Sequence, residues 1–125
     1  MANVTVKSMD EFDGAFGGAM KLVRHGLGVT SFGIQVMDFP PGADQYPDHD
    51  HSSDGQEEVY TVLAGAATLQ VDGTDYELTP GVFARVGAGT SRKIVTKSES
   101  ARILAVGGIP GKAYEVSPFS EPQAA

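Results

Sequence analysis

"AATLQVDGTDYEL", Ala66 to Leu78, alternates polar and apolar side chains on either side of Asp72-Gly73. An Asp-Gly pair suits a two-residue hairpin turn, in which both central residues need positive φ. Closing the turn there sets Val71 opposite Thr74, Leu69 opposite Tyr76 and Ala67 opposite Leu78, a largely apolar face. Gln70 then meets Asp75 and Thr68 meets Glu77, a polar face. A slip of one residue would turn the whole apolar set to solvent, so the register is set locally.

Similar short runs flank this hairpin. "EVYTVL", from Glu58, is rich in β-branched and aromatic residues, and Ala64-Gly65 offers a turn after it. "VTSFGIQVMDF", Val29 to Phe39, reads as a strand with Phe32, Ile34 and Val36 as core positions. "PPG", Pro40 to Gly42, ends it, because proline cannot donate to a ladder. "MKLVR" is a weaker strand candidate, and "VFARV", "RKIVTK" and "ARILAVGG" supply three more, "GAGTS" separating the first two. Ser8-Met9-Asp10-Glu11 has the spacing of a helix-capping box, so one short N-terminal helix is expected, stopped by the glycines of "GAFGG". The tail after Pro110 is expected to wrap the surface or fray. Strands with tight turns in this number, about eight, point to an all-β sandwich or small barrel.

The chain has 125 residues, which suits a single domain spanning 1–125. It has no cysteine, which removes thiolate metal sites, disulfides and cysteine nucleophiles and fits a cytoplasmic location. The N-terminal "MANVTVKSMDEF" has no basic region leading into an apolar run, so no secretion signal is expected. No apolar stretch approaches the roughly 20 residues that span a membrane. A formal net charge of −7 opposes binding to phosphate backbones, so no nucleic-acid partner is expected.

Chemistry concentrates in "PDHDHSSDGQEEVY", Pro47 to Tyr60. Two of the chain's three histidines, His49 and His51, stand one residue apart. On a strand, residues i and i+2 share a face, and the strand rise separates them by about 7 Å, so both imidazoles can reach one ion. Glu57 and Glu58 follow at the start of "EVYTVL", and one of them can join the histidines. Parity leaves the choice open: Glu58, Tyr60 and Val62 share one face, Glu57, Val59 and Thr61 the other. Two histidines and a carboxylate leave open coordination positions, an arrangement that suits iron(II) and tolerates other divalent metals.

Within "PPGADQYPDHDHSSDGQEEVYTVLAG" the order His-x-His, glutamate, glycine resembles the first motif of the cupin superfamily. The spacing from Glu58 to Gly65 matches that motif and selects Glu58. The insert between His51 and Glu58 is longer than usual and implies a loop. "PGVFARVGAGTSR", Pro80 to Arg92, resembles the second motif, with Gly81 and Gly89 in place. The resemblance covers about 29–106 and implies an antiparallel jelly-roll β-barrel, often paired as a homodimer, with a tail from about 110. It also implies a divalent metal (iron, manganese, nickel or zinc) on His49, His51 and Glu58, and a small organic ligand in the barrel. Oxygenase, isomerase and lyase chemistries occur in such proteins, as do non-catalytic binding modules.

The second motif departs from the pattern at its end. Arg92 stands where a fourth ligand, histidine, is usual, and Gly87 where a proline is usual. Arginine stays protonated and has no acceptor, so it cannot hold a cation. Arg92 has three open orientations: into the cavity as a clamp for a substrate carboxylate or phosphate, against Glu58 in place of a metal, or out to solvent. Tyr60 shares the face of Glu58 and, with Tyr46 just before the histidines, is a candidate wall of a substrate pocket; both also fit as ordinary packing aromatics. Asp54 and Gln56 read as loop polar residues, and His25 as a surface or turn histidine.

Overall fold

A computed structural model of the chain describes residues 2–122. The strands are β1 (Gly14–Ala15), β2 (Met20–Lys21), β3 (Gly33–Phe39), β4 (Glu57–Gly65), β5 (Ala67–Val71), β6 (Thr74–Leu78), β7 (Phe83–Val86), β8 (Lys93–Val95) and β9 (Ala101–Gly108). One short α-helix, α1 (Val23–Leu27), lies between β2 and β3. A six-stranded sheet runs β1-β2-β3-β9-β4-β7 and a three-stranded sheet runs β6-β5-β8, with every pairing antiparallel. The two sheets enclose one core, the jelly-roll arrangement. Tyr60, Val62 and Ile103 enter it from the larger sheet, and Leu69, Leu78 and Ile94 from the smaller. No helix among the described residues is long and apolar enough to cross a membrane.

The β5–β6 hairpin has the expected register, pair for pair. Asp72 and Gly73 carry φ of 50° and 76°, as the tight turn demands. The face assignment holds at Ala67, Leu69 and Leu78, all buried. It fails at Tyr76, which is 52% exposed because β6 is an edge strand with no neighbour beyond it. Thr68, on the opposite face, is buried; its hydroxyl donates to Glu77 at 2.9 Å and β8 lies alongside. Gly65, closing β4, has φ of +80°, and a Cβ there would lie 1.9 Å from the Ser100 carbonyl oxygen.

Three local expectations need correction. The capping box at Ser8 forms, with Ser8 N–H donating to Glu11 at 3.2 Å, but it starts only a single 3₁₀ turn, Met9–Glu11. Phe12 is already extended, so the turn stops before the glycines. The true α-helix arises from "MKLVR", which divides: Met20 and Lys21 pair with β3, and Val23 begins α1. Burial of Leu22 and Val23 anchors that start, and Gly28 ends the helix at φ 77°, its N–H reaching the Arg24 and His25 carbonyls.

The third correction concerns β3, whose inward face is the parity of Met37 and Phe39. Met37 is paired to Ile103 and belongs to the barrel core, against which Phe39 packs. Val36 is buried but outside that cluster, Ile34 is half-buried, and Phe32 precedes the strand at 39% exposure. Both faces of β3 are covered at its middle, so alternation alone could not tell which one faces the barrel. The tail wraps rather than frays as far as it is described. Ser120 is buried, its hydroxyl accepts from Arg24 Nε at 3.3 Å, and Arg24 also pairs with Glu121.

Candidate metal centre

The segment from Pro47 to Gln56 forms no strand of its own. It is an extended arm fastened to residues 88–92. His49 N–H donates to the Arg92 carbonyl at 2.9 Å and Arg92 N–H returns the bond to His49 at 2.8 Å. His51 N–H donates to the Ala88 carbonyl at 2.7 Å. The arm is therefore extended over His49–His51, and both imidazoles lie on one side, their ring centroids 5.2 Å apart. The expected longer insert is a turn after His51, closed by Gly55 at φ +77°. β4 then begins, and its parity separates the two glutamates. Glu58 turns toward the histidines; Glu57 turns outward to Arg85 at 2.8 Å.

Hydrogen bonding sets the imidazole tautomers. His49 Nδ1 lies 2.9 Å from the Pro47 carbonyl, which only accepts, so Nδ1 carries the proton. His51 Nδ1 lies 3.1 and 3.2 Å from the two oxygens of Asp54. Burial disfavours the charged Asp54, but bonds from the Gln56 backbone and from His51 outweigh it and hold the carboxyl below its ordinary value. Asp54 is thus an ionised acceptor, itself held by Gln56 through backbone and side chain, each at 3.0 Å. Both Nε2 atoms are left free to present lone pairs.

Those lone pairs converge on Glu58. Its Oε1 is 2.9 Å from His51 Nε2 and 3.8 Å from His49 Nε2. One ligand atom from each of the three residues falls within 4.8 Å of the others, the one such grouping among the described residues. His51 Nε2 is buried and, despite the short separation, makes no aligned hydrogen bond. Two lone-pair atoms at that distance need a cation between them, either a proton or a metal ion. Nearby Glu58 accordingly raises the His51 pKa, against the opposing effect of burial and with help from Asp54. The donor set and the unmatched Nε2 fit a divalent metal.

The surroundings are built to keep Glu58 charged. Burial would push its carboxyl up, but in the metal-free site a proton held between it and the imidazoles, together with the Tyr60 hydroxyl, which donates to Oε1 at 2.6 Å, holds it well below the usual carboxylate range. Tyr60 is fully buried; burial first, then neighbouring Tyr46 and Glu58, pushes its own pKa far up, so it stays a phenol donor. Tyr46 packs edge-on against His49, centroids 5.3 Å apart, and against Phe39 at 5.7 Å. Arg92 is fully buried, which rules out the solvent-facing orientation. Its Nη2 donates to the Gly87 carbonyl at 2.9 Å, and its Nη1 lies 3.8 Å from Glu58 Oε1.

His49, His51, Glu58, Tyr60, Tyr46 and Arg92 are thus brought together, while His25 stands apart on α1, half-exposed and paired with Glu121 at 3.0 Å. Two contributors, Asp54 and the Gln56 that holds it, are not assigned to the site by the sequence. Asp54, which reads as a loop residue, orients His51; a carboxylate three residues after a histidine does not by itself reveal that role. Apart from these, Gln35 lies on the inner face, across Ala105 from Tyr60; its Oε1 accepts from Val23 N–H at 3.1 Å and its Nε2 is buried without a partner. A separate shallow hollow of about 350 Å³ opens beside Phe39, Gly65 and the Arg102–Asp38 pair. That pair is already satisfied by two bonds, at 2.7 and 3.1 Å, and no histidine lines the hollow.

Residues 35–107 match the family model of the cupin domain. The chain is similar over its whole length to a cupin protein from Bacteroides fragilis, of which it covers 100%, with TM-score 0.73 and 21% identity. It is similar to a sugar phosphate isomerase of the cupin superfamily from Silicibacter pomeroyi, with TM-score 0.71 and 23% identity over 83% of this chain and 75% of that one. A weaker likeness links it to a chain from the structures of the DMSP lyases RdDddP and RnDddQII. There the TM-score is 0.56 and the identity 27%, over 65% of this chain and 40% of that one. No curated protein matches it in sequence.

Proposed function

The chain belongs to the cupin family, and we propose that it is a small metal-binding cupin, a metalloenzyme of oxygenase, isomerase or lyase type acting on a small organic molecule. The observation that carries this reading is the meeting of two Nε2 lone pairs with Glu58, each imidazole already fixed in its tautomer from behind. His49, His51 and Glu58 would hold the ion, which supplies Lewis acidity or an oxygen-activating centre when bound.

The remaining residues do identifiable work. Asp54 and the Pro47 carbonyl keep both imidazoles in the ligating tautomer. The Tyr60 hydroxyl orients the carboxylate and retains its proton. Tyr46 packs on His49 and shields that side from water, and with Tyr60 and Arg92 it would line the substrate space. A cytoplasmic homodimer is the setting we assign. The cysteine-free composition suits a reducing compartment, and β7 is a sheet edge at which Phe83 is 71% exposed.

Purified protein is reconstituted in turn with iron, manganese, nickel and zinc, and its metal content measured beside a His49→Ala/His51→Ala variant. We expect close to one ion per chain in the wild type and background in the variant. Equal, negligible content in both rejects the metal centre. A second reading, a non-catalytic small-molecule-binding module without metal, draws on Arg92, whose guanidinium near Glu58 supplies a positive charge without an ion. That outcome would leave it standing.

A further inference from the structure

Arg92 is fully buried, yet its guanidinium is only partly met. Nη2 donates to the Gly87 carbonyl at 2.9 Å and approaches that of Val86 at 3.4 Å. Nε and Nη1 are buried with no hydrogen-bond partner. The nearby carboxylate, Glu58, is 3.8 Å from Nη1, beyond hydrogen-bond reach. Its Oε1 already takes the Tyr60 hydroxyl at 2.6 Å and lies 2.9 Å from His51 Nε2. Charged donors left unmet in a buried site carry a large desolvation penalty.

Position and charge point the same way. The backbone bridge places Arg92 directly opposite His49, and opposed residues of an antiparallel pair share a face. The unmet donors therefore stand at the wall of the ion site. Glu58 and the ionised Asp54 behind His51 bring two negative charges to a divalent ion held by two neutral imidazoles, and Arg92 adds a positive one. The loaded site is thus net positive, and an incoming anion offsets that charge.

We propose that Arg92 is an anion anchor: it receives the oxyanion, carboxylate or phosphate, of a small molecule whose other end sits at His49, His51 and Glu58. The anchor rests on the metal-centre reading for the placement of that other end. An arginine suits the task because it stays protonated and presents several N–H groups to oxyanion oxygens.

Glycolate, malonate and glycerol 3-phosphate are titrated by calorimetry into the full chain, each beside its uncharged counterpart: glycolamide, malonamide and glycerol. Wild type, Arg92→Lys and Arg92→Met are compared, chelator-treated and manganese-loaded, with metal content read on the same samples. We expect at least one anion to bind the wild type about 10- to 100-fold more tightly than its counterpart, the gain typical of charge-assisted hydrogen bonds. Arg92→Met should abolish the preference and Arg92→Lys retain part of it. The carboxylate and phosphate arms decide which oxyanion is taken.

Should the methionine variant fail to fold, the wild-type Arg92 Nε–H resonance decides: it should shift with the anion and not with the neutral compound. Equal or absent binding across every pair, a preference that survives in folded Arg92→Met, or an unmoved resonance overturns the anchor. One metal per chain without anion preference keeps the centre and removes the anchor; anion preference through Arg92 without metal does the reverse.

Discussion

The β5–β6 hairpin and the arm from Pro47 to Gln56 are both short and polar-rich, yet they obtain their shapes differently. In the hairpin, five consecutive cross-strand pairs follow from one Asp-Gly turn, and each partner is close in sequence. The arm has a single bridge, His49 to Arg92, and its remaining anchor to that segment is the Ala88 carbonyl, again far along the chain. The hairpin is a local structure that tertiary packing accepts. The arm is a tertiary structure, extended because the 88–92 segment holds it so. The candidate metal centre sits on the second kind, where side chains from distant segments can be aimed at one point.

Four substitutions would break or sharpen that contrast. Gly65→Ala, where β4 ends, forces a side chain into left-handed backbone against the Ser100 carbonyl. It should destabilise by at least about 2 kcal/mol, read by denaturant unfolding. An unchanged midpoint would show that this corner is not fixed by its glycine. Asp54→Ala tests the arm itself. It should weaken metal binding by roughly 10- to 100-fold in a competition titration, as loss of a histidine's outer partner does, with little change in the unfolding midpoint of the metal-free protein. Full affinity would mean that the arm is held by its backbone bonds alone.

Smaller effects are expected in the hairpin and just ahead of β3. Gly73→Ala places a side chain at φ 76° in the tight turn and should cost about 1 kcal/mol by the same unfolding measurement, with metal affinity unchanged. A loss of metal affinity in that variant would show that hairpin and arm are energetically coupled. Phe32→Ser should change stability by less than about 0.5 kcal/mol, because the side chain lies before β3 and is exposed. A larger loss would restore it to the core.

Legibility followed the range of the determining contact. Register in the hairpin, the proline stop after Phe39 and the opposite directions of Glu57 and Glu58 were readable, because each depends on a turn or on two-residue alternation. The parity of β3 was not: Val36 and Met37 are both buried, and only pairing with β9 assigns Met37 to the barrel. The split of "MKLVR" was hidden for a related reason, since burial of Leu22 and Val23, not local propensity, decides it. At the site, His-x-His and Glu58 were visible as a spacing. The support given by Asp54 and Gln56 was not, because a loop carboxylate looks the same whether it faces water or an imidazole.

By itself the chain's order of residues determined the strands β3 to β9 in outline, the Asp72-Gly73 turn and the candidate ligands His49, His51 and Glu58. Backbone dihedral limits and side-chain alternation act within a few residues, and no partner is needed to read them. Only the folded barrel decided that Arg92 points inward beside Glu58, that Tyr60 donates to that carboxylate from the core, and that Gln35 joins the inner face. Those directions depend on segments meeting across the chain, and such meetings are settled by closing the two sheets over a shared core.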